Sequence, residues 1–277
     1  MTDPRDPLSD LDALASATAP GADVAAPPPA VPTGYAAVTR TATYGFWAAL
    51  PLLVLYEVGV LLATGGTGAI RVGADVWLKQ ILAGLGATGT LALGVGVLVA
   101  GLVVWWRERD RRPPLVARYF GFIVLEALVY AVVLATLVGG VTAFLFADGG
   151  GTFGVWPAAL AQLGEFGLGL QLALSIGAGL YEELVFRVLL VGGLAIGLRR
   201  GAGWDRTKAY WVAALVGAVV FSAVHHIGTF GDPFTMQVFT FRFLFGLALN
   251  AVFLLRGFAL AAWAHALYDV LVVTGSF

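Results

Sequence analysis

Three short stretches place ionisable side chains inside otherwise apolar sequence. They are Tyr181-Glu182-Glu183-Leu184-Val185-Phe186-Arg187, Phe221-Ser222-Ala223-Val224-His225-His226 and His265-Ala266-Leu267-Tyr268-Asp269. All 3 histidines of the chain fall in this set. On a helix, Glu183 and Arg187 stand four residues apart and can form a favourably oriented ion pair. Glu182 is rotated by about 100° from Glu183 and can face a different partner. His265 and Asp269, also four apart, share a face. These residue types suit hydrolysis. A partly buried carboxylate can take a proton from water. A histidine can orient that water or protonate a leaving amine, and a second polar pair can stabilise the oxyanion on a carbonyl. No serine or cysteine nucleophile is required. Each stretch also has a plainer reading. Glu183–Arg187 could be an ion pair locking helices, His225 or His226 an interhelical hydrogen bond, and His265–Asp269 a helix-stabilising contact.

The elements that must hold these residues are membrane helices. Of 277 residues, 59% are hydrophobic and 12% charged, and mean hydropathy is +0.88. A soluble domain would carry about a quarter charged residues, so lipid must cover most of this surface. The net charge of −1 provides no field to recruit nucleic acid, and none is expected as a partner. The absence of cysteine removes disulfides, thiolate catalysis and Cys-ligated zinc together. Residues 1–40, rich in Pro, Ala and Asp, have no sustained apolar face and read as a disordered tail. They lack the basic start and apolar core of a signal peptide.

Seven segments are apolar enough to span: Tyr44–Thr64, Ala87–Trp106, Tyr119–Phe146, Gly167–Leu198, Ala209–Ile227, Gln237–Leu255 and Gly257–Val273. The fourth is long enough to be tilted or broken, and only Arg256 and Gly257 separate the last two. The segment ADVWLKQILAGLG after the first span fits a short amphipathic helix in the interface. With a cytoplasmic N-terminus, Arg5, Arg40, Arg107, Arg109, Arg111, Arg112, Arg118, Arg199, Arg200, Arg206, Lys208 and Arg256 fall on the cytoplasmic side. Only Arg71 and Lys79 fall opposite. The expected fold is therefore an all-α, polytopic helical bundle of about seven transmembrane helices, integral to the cell membrane, with the N-terminus cytoplasmic. The division is a tail at 1–40, N-terminal transmembrane helices at 41–166 and a catalytic core at 167–277. At about 1.5 Å per residue, Glu182 and His225 lie roughly 25 Å from the cytoplasmic ends of their helices and His265 roughly 13 Å. A shared site therefore requires tilt, displaced ends or a break in the fourth span.

Glu182-Glu183-x-x-x-Arg187, Phe221-x-x-x-His225 and His265-x-x-x-Asp269, in this order on separate segments, resemble the CPBP intramembrane protease family. That family includes the type II CAAX prenyl endopeptidases and the Abi-like bacteriocin-immunity proteins. The resemblance covers roughly Gly167 to Val273. It implies an endopeptidase that cleaves peptide bonds in the cytoplasmic half of the bilayer, on prenylated CAAX-type or other membrane-associated substrates. By position it makes Glu182 the general base and His225 its water-orienting partner. Glu183 and Arg187 would brace the site, and His265 and Asp269 would line the oxyanion region. Many relatives have Asn where this chain has Asp269, and an ionised Asp cannot donate a hydrogen bond. The motif spacing selects His225 over His226.

Members of the family have been described both as metalloproteases and as enzymes using a glutamate-activated water. Two histidines and a glutamate could hold zinc, but the chain has no HExxH pair on one helix. The expectation is catalysis without a cofactor, with zinc left open. Two other classes compete with the protease: an ion- or proton-coupled transporter, and a catalytically silent immunity or scaffold protein. A transporter should show paired, interrupted helices in two halves, and no such repeat is visible. Glu57 and Glu126, also within spans, read as packing or cavity-lining groups. Arg242 reads as an interface anchor or the neutraliser of a buried carboxylate.

Overall fold

A computed structural model of the chain describes residues 31–86, 89–146, 166–228 and 231–275. Among the described residues there are nine helices and no strand. They are α1 (Tyr35–Thr39), α2 (Ala42–Ala63), α3 (Gly73–Gly84), α4 (Gly89–Glu108) and α5 (Ala117–Leu145), then the compound α6, α7 (Arg206–Val224), α8 (Met236–Arg256) and α9 (Phe258–Val273). Helix α6 is α-helical over Leu168–Gly177, π-helical over Ala178–Gly192 and α-helical again over Gly193–Ala202. The chain folds as the all-α helical membrane bundle expected from its composition. Among the described residues four helices, α2, α5, α7 and α8, are long and apolar enough to cross a membrane by themselves, and α9 is a shorter apolar helix. Each of the seven apolar segments maps to a helix: α2, α4, α5, α6, α7, α8 and α9. Residues 1–30 of the expected tail and the loop at 147–165 lie outside the described residues, while α1 falls in the last part of that tail.

Local chemistry sets the helix ends. Thr41, Asp205 and Thr235 cap α2, α7 and α8 with side-chain oxygens that accept backbone N–H groups of their first turns. Glu108, at the end of α4, accepts hydrogen bonds from the N–H groups of Ala42 (2.8 Å) and Thr43 (2.9 Å). A carboxylate thereby meets the positive end of the α2 dipole. The one-residue join between α8 and α9 works because Gly257 adopts φ 82°. A Cβ there would also come within 2.9 Å of the Arg40 carbonyl oxygen.

Helix α9 is the central post of the bundle, packed against α2, α5, α6 and α8. Its alanines make this possible: Ala259, Ala261, Ala262, Ala264 and Ala266 are all buried. Small residues let backbones approach where lipid supplies no hydrophobic drive between helices. At Gly179 of α6 a Cβ would lie 2.5 Å from the Ala266 Cβ and from the Ala262 carbonyl oxygen. Outward faces are apolar instead, with Leu62 and Phe144 about four-fifths exposed, as lipid contact requires.

The other intramembrane carboxylates are packing groups. Arg256 of α8 donates to both oxygens of Glu126 on α5, at 2.6 and 2.7 Å, and to the Ala36 carbonyl of α1 at 3.0 Å. Glu57 of α2 holds Arg71 and Lys79. Helix α3 forms where the sequence predicts a short helix. Its Asp75 is wholly buried, and the helix packs against the π-helical part of α6.

Candidate active site

The three motifs converge, each from a different helix. Helix α6 carries Glu182, Glu183 and Arg187 in its π-helical stretch, the C-cap of α7 is His225, and the middle of α9 carries His265 and Asp269. π-Helical turns are rare and usually short, and they occur often at functional sites. This one spans 15 residues. Its i→i+5 bonding makes the helix wider and shorter per residue than an α-helix. The mismatch of roughly 25 Å against 13 Å at about 1.5 Å per residue is no barrier, because Glu182 lies 3.6 Å from His225 and the adjacent Glu183 lies 2.7 Å from His265.

Glu182 and Glu183 face different partners, as their angular offset predicts. The Glu182 Oε2 stands 3.6 Å from the His225 Nε2. The His225 Nδ1–H donates to the Phe221 carbonyl at 2.6 Å. That bond fixes the tautomer of the neutral ring and leaves Nε2 as an acceptor toward Glu182. A separation of 3.6 Å is longer than a hydrogen bond, and a bridging water suits such a pair. Both side chains are partly open, 15% exposed for Glu182 and 19% for His225.

Behind this pair lies a buried brace. The Glu183 Oε1 accepts from the His265 Nδ1 at 2.7 Å and lies 2.9 Å from the Arg187 Nη1. Glu183 and Arg187 are essentially inaccessible. Arg187 also donates to the Gly246 carbonyl at 3.4 Å, and its guanidinium lies 4.5 Å from the centre of the Phe221 ring. With Nδ1 committed to Glu183, the His265 Nε2 points toward Asp269, 3.6 Å away. The group that orients His265 is therefore Glu183, and Asp269 stands at the more open side of the ring. Phe221 joins the parts: its ring meets His225 at 4.7 Å and His265 at 6.1 Å between centroids.

His226 turns away from this cluster. Its Nδ1 contacts the Asp232 carbonyl at 3.0 Å, and its ring packs on Phe234 and Phe239. Arg242 pairs with Asp232, so it does neutralise a mostly buried carboxylate. It also lies within electrostatic reach of Glu182, His225 and Asp269. Asp232 carries no motif, and only proximity in space reveals it. Among the described residues no three His, Asp or Glu side chains converge as a metal-binding group. The His265 Nδ1 is taken by Glu183, while its Nε2, the His225 Nε2 and the Glu182 carboxylate keep free lone pairs.

A helical membrane bundle with a carboxylate–histidine cluster inside its C-terminal helices defines the class of protein. Within it, residues 165–271 match the family model described as type II CAAX prenyl endopeptidase Rce1-like. Over this stretch the chain is similar to that family, in agreement with the resemblance of its motifs to the CPBP family. No curated protein and no solved structure matches the chain.

Proposed function

We propose that this protein is an intramembrane endopeptidase in which Glu182 activates water for attack on a peptide carbonyl. The observation that carries the reading is the Glu182–His225 pair: 3.6 Å apart, partly open, and set beside the braced Glu183–His265 pair. A water between the Glu182 carboxylate and the His225 Nε2 gives one proton to Glu182, and its oxygen adds to the carbonyl carbon. His265, held by Glu183, stands with Asp269 where the oxyanion develops. When protonated at Nε2, His265 can donate to it. Collapse of the tetrahedral intermediate breaks the C–N bond, and the proton held by Glu182 passes to the leaving amine. Arg187 supports the site by neutralising Glu183, and no step requires a metal.

In this reading residues 167–277 form the catalytic core and residues 41–166 the N-terminal transmembrane helices. Seven helices cross the cell membrane, with the N-terminus cytoplasmic. Substrates are membrane-associated peptides or proteins, with prenylated CAAX-type tails the class that the family suggests. The test is purified protein in proteoliposomes with a farnesylated CAAX peptide, read by mass spectrometry. Comparing membrane peptides from cells with the wild-type protein or Glu182→Ala extends it to other substrates. Products that require Glu182 support the proposal. Solute flux without cleavage would favour a transporter, and neither activity would favour a silent scaffold.

A further inference from the structure

The matched family segment begins at residue 165, so it gives no role to α2 and α3. Yet a polar cluster with a wholly buried carboxylate joins these two helices. The Asp75 Oδ2 accepts from the Tyr56 hydroxyl at 2.9 Å and from the Arg71 Nη1 at 2.9 Å. Lys79 lies 2.8 Å from the Asp75 Oδ1. Glu57 balances the charge by holding Arg71 at 2.9 Å and Lys79 at 3.0 Å. Two anions and two cations are thus paired, and Tyr56 and Asp75 are wholly buried.

Buried ion clusters are poor sources of stability, since well-packed apolar residues commonly do as well. Their better-attested use is to specify one geometry. The Tyr56 hydroxyl also accepts from the Val72 N–H at 3.2 Å, so the phenol is tied from two directions. Its ring then lies against α6. It meets the Tyr181 ring edge-on at 5.3 Å, one residue before Glu182. It fills the space at Gly177, where a Cβ would come within 2.4 Å of it. Further along, Trp77 of α3 meets Phe186 at 6.5 Å, one residue before Arg187. These contacts brace α6 beside the residues that carry Glu182 and Glu183.

The brace has something to hold. A long π-helix is an uncommon backbone, and uncommon backbones persist where their surroundings over-determine them. Relaxation toward α geometry would rotate Glu182 relative to His225. We propose that Tyr56, fixed by Asp75, is a positioning residue that keeps the π-helical stretch of α6 in the register placing Glu182 opposite His225. This rests on the hydrolytic reading of Glu182, and it gives the N-terminal helices a part in the catalytic geometry.

The test uses Tyr56→Phe, which keeps the ring and removes its tether, with Asp75→Asn as the second variant. Full-length protein in nanodiscs is followed by thermal unfolding, by hydrogen exchange of peptides covering 178–192, and by cleavage of the farnesylated CAAX peptide. Small displacements of catalytic groups commonly cost up to about 10²-fold. The expected result is a loss in kcat of about tenfold with KM within about twofold. Faster exchange should be confined to residues 178–192, at an unchanged melting temperature. Unchanged kcat and exchange in Tyr56→Phe would overturn the proposal, as would an activity loss that follows global destabilisation. If the wild-type protein cleaves nothing, the hydrolytic reading fails. The exchange data alone then decide whether Tyr56 holds the π-helix.

Discussion

Two adjacent glutamates have opposite situations, and their substitution should separate catalysis from structure. Glu182 is partly open and pairs with His225, whereas Glu183 is enclosed with Arg187 and His265. Glu182→Gln preserves size and much of the hydrogen bonding but cannot take the proton of water. Cleavage should fall by a factor of about 10² to 10⁴ while yield and melting temperature stay near wild type. Arg187→Gln leaves Glu183 uncompensated in a buried setting, where breaking a pair costs roughly 3–5 kcal/mol. That variant should lose stability as well as activity. Turnover and thermal unfolding measured side by side on purified protein check both. Full activity in Glu182→Gln would remove it as the base, and equal stability losses would favour a structural ion pair. The division of the two glutamates was legible in the sequence, because adjacent helical residues diverge by about 100°. The Glu183–His265 bond was not, because it joins residues 82 apart in the chain and no local pattern encodes such a pairing.

Helix α6 shows how far apolar patterning reaches. Length and hydropathy marked 167–198 as one oversized span, and the helix is continuous from Leu168 to Ala202. Its π-helical middle has no hydrophobic signature, since the backbone state depends on what packs around it. Glycines within apolar spans suit close helix packing, and Gly179 is one such position. A side chain there meets the α9 backbone and the Ala266 Cβ at 2.5 Å, and neither is a flexible tip that could yield. Gly179→Val should force α6 from α9 and lower stability by about 1–3 kcal/mol, the usual cost of overpacking. Because Glu182 and His265 sit on these two helices, activity should fall too. A melting temperature equal to wild type would show that the α6–α9 contact is looser than its geometry indicates.

At the scale of the molecule, the arginine asymmetry predicts an orientation, and the packing groups the basic segments in a way that makes it testable. Arg256 reaches the Ala36 carbonyl, and Gly257 lies against Arg40. Glu108 caps α2, and the Tyr44 hydroxyl donates to the Pro114 carbonyl at 3.0 Å. At the start of α7, shortly after Arg206 and Lys208, Tyr210 donates to the Asn250 carbonyl near the end of α8. These contacts bring the arginine-rich connections to one end of the bundle. Arg71 and Lys79, the two exceptions, are absorbed in ion pairs with Glu57 and Asp75 and add little free charge at the other end. Loop charge of this kind sets orientation during insertion, with the basic end retained in the cytoplasm. The natural absence of cysteine allows a direct measurement. Asp110→Cys lies between α4 and α5 at the arginine-rich end, and Thr67→Cys lies just beyond α2 at the opposite end. Both positions are exposed. In intact cells an impermeant maleimide should label Thr67→Cys alone, and Asp110→Cys should react only after the membrane is opened. Labelling of both from outside would place these ends on one side of the membrane and refute α4 as a span. Labelling of Asp110→Cys alone would keep the bundle and reverse its orientation.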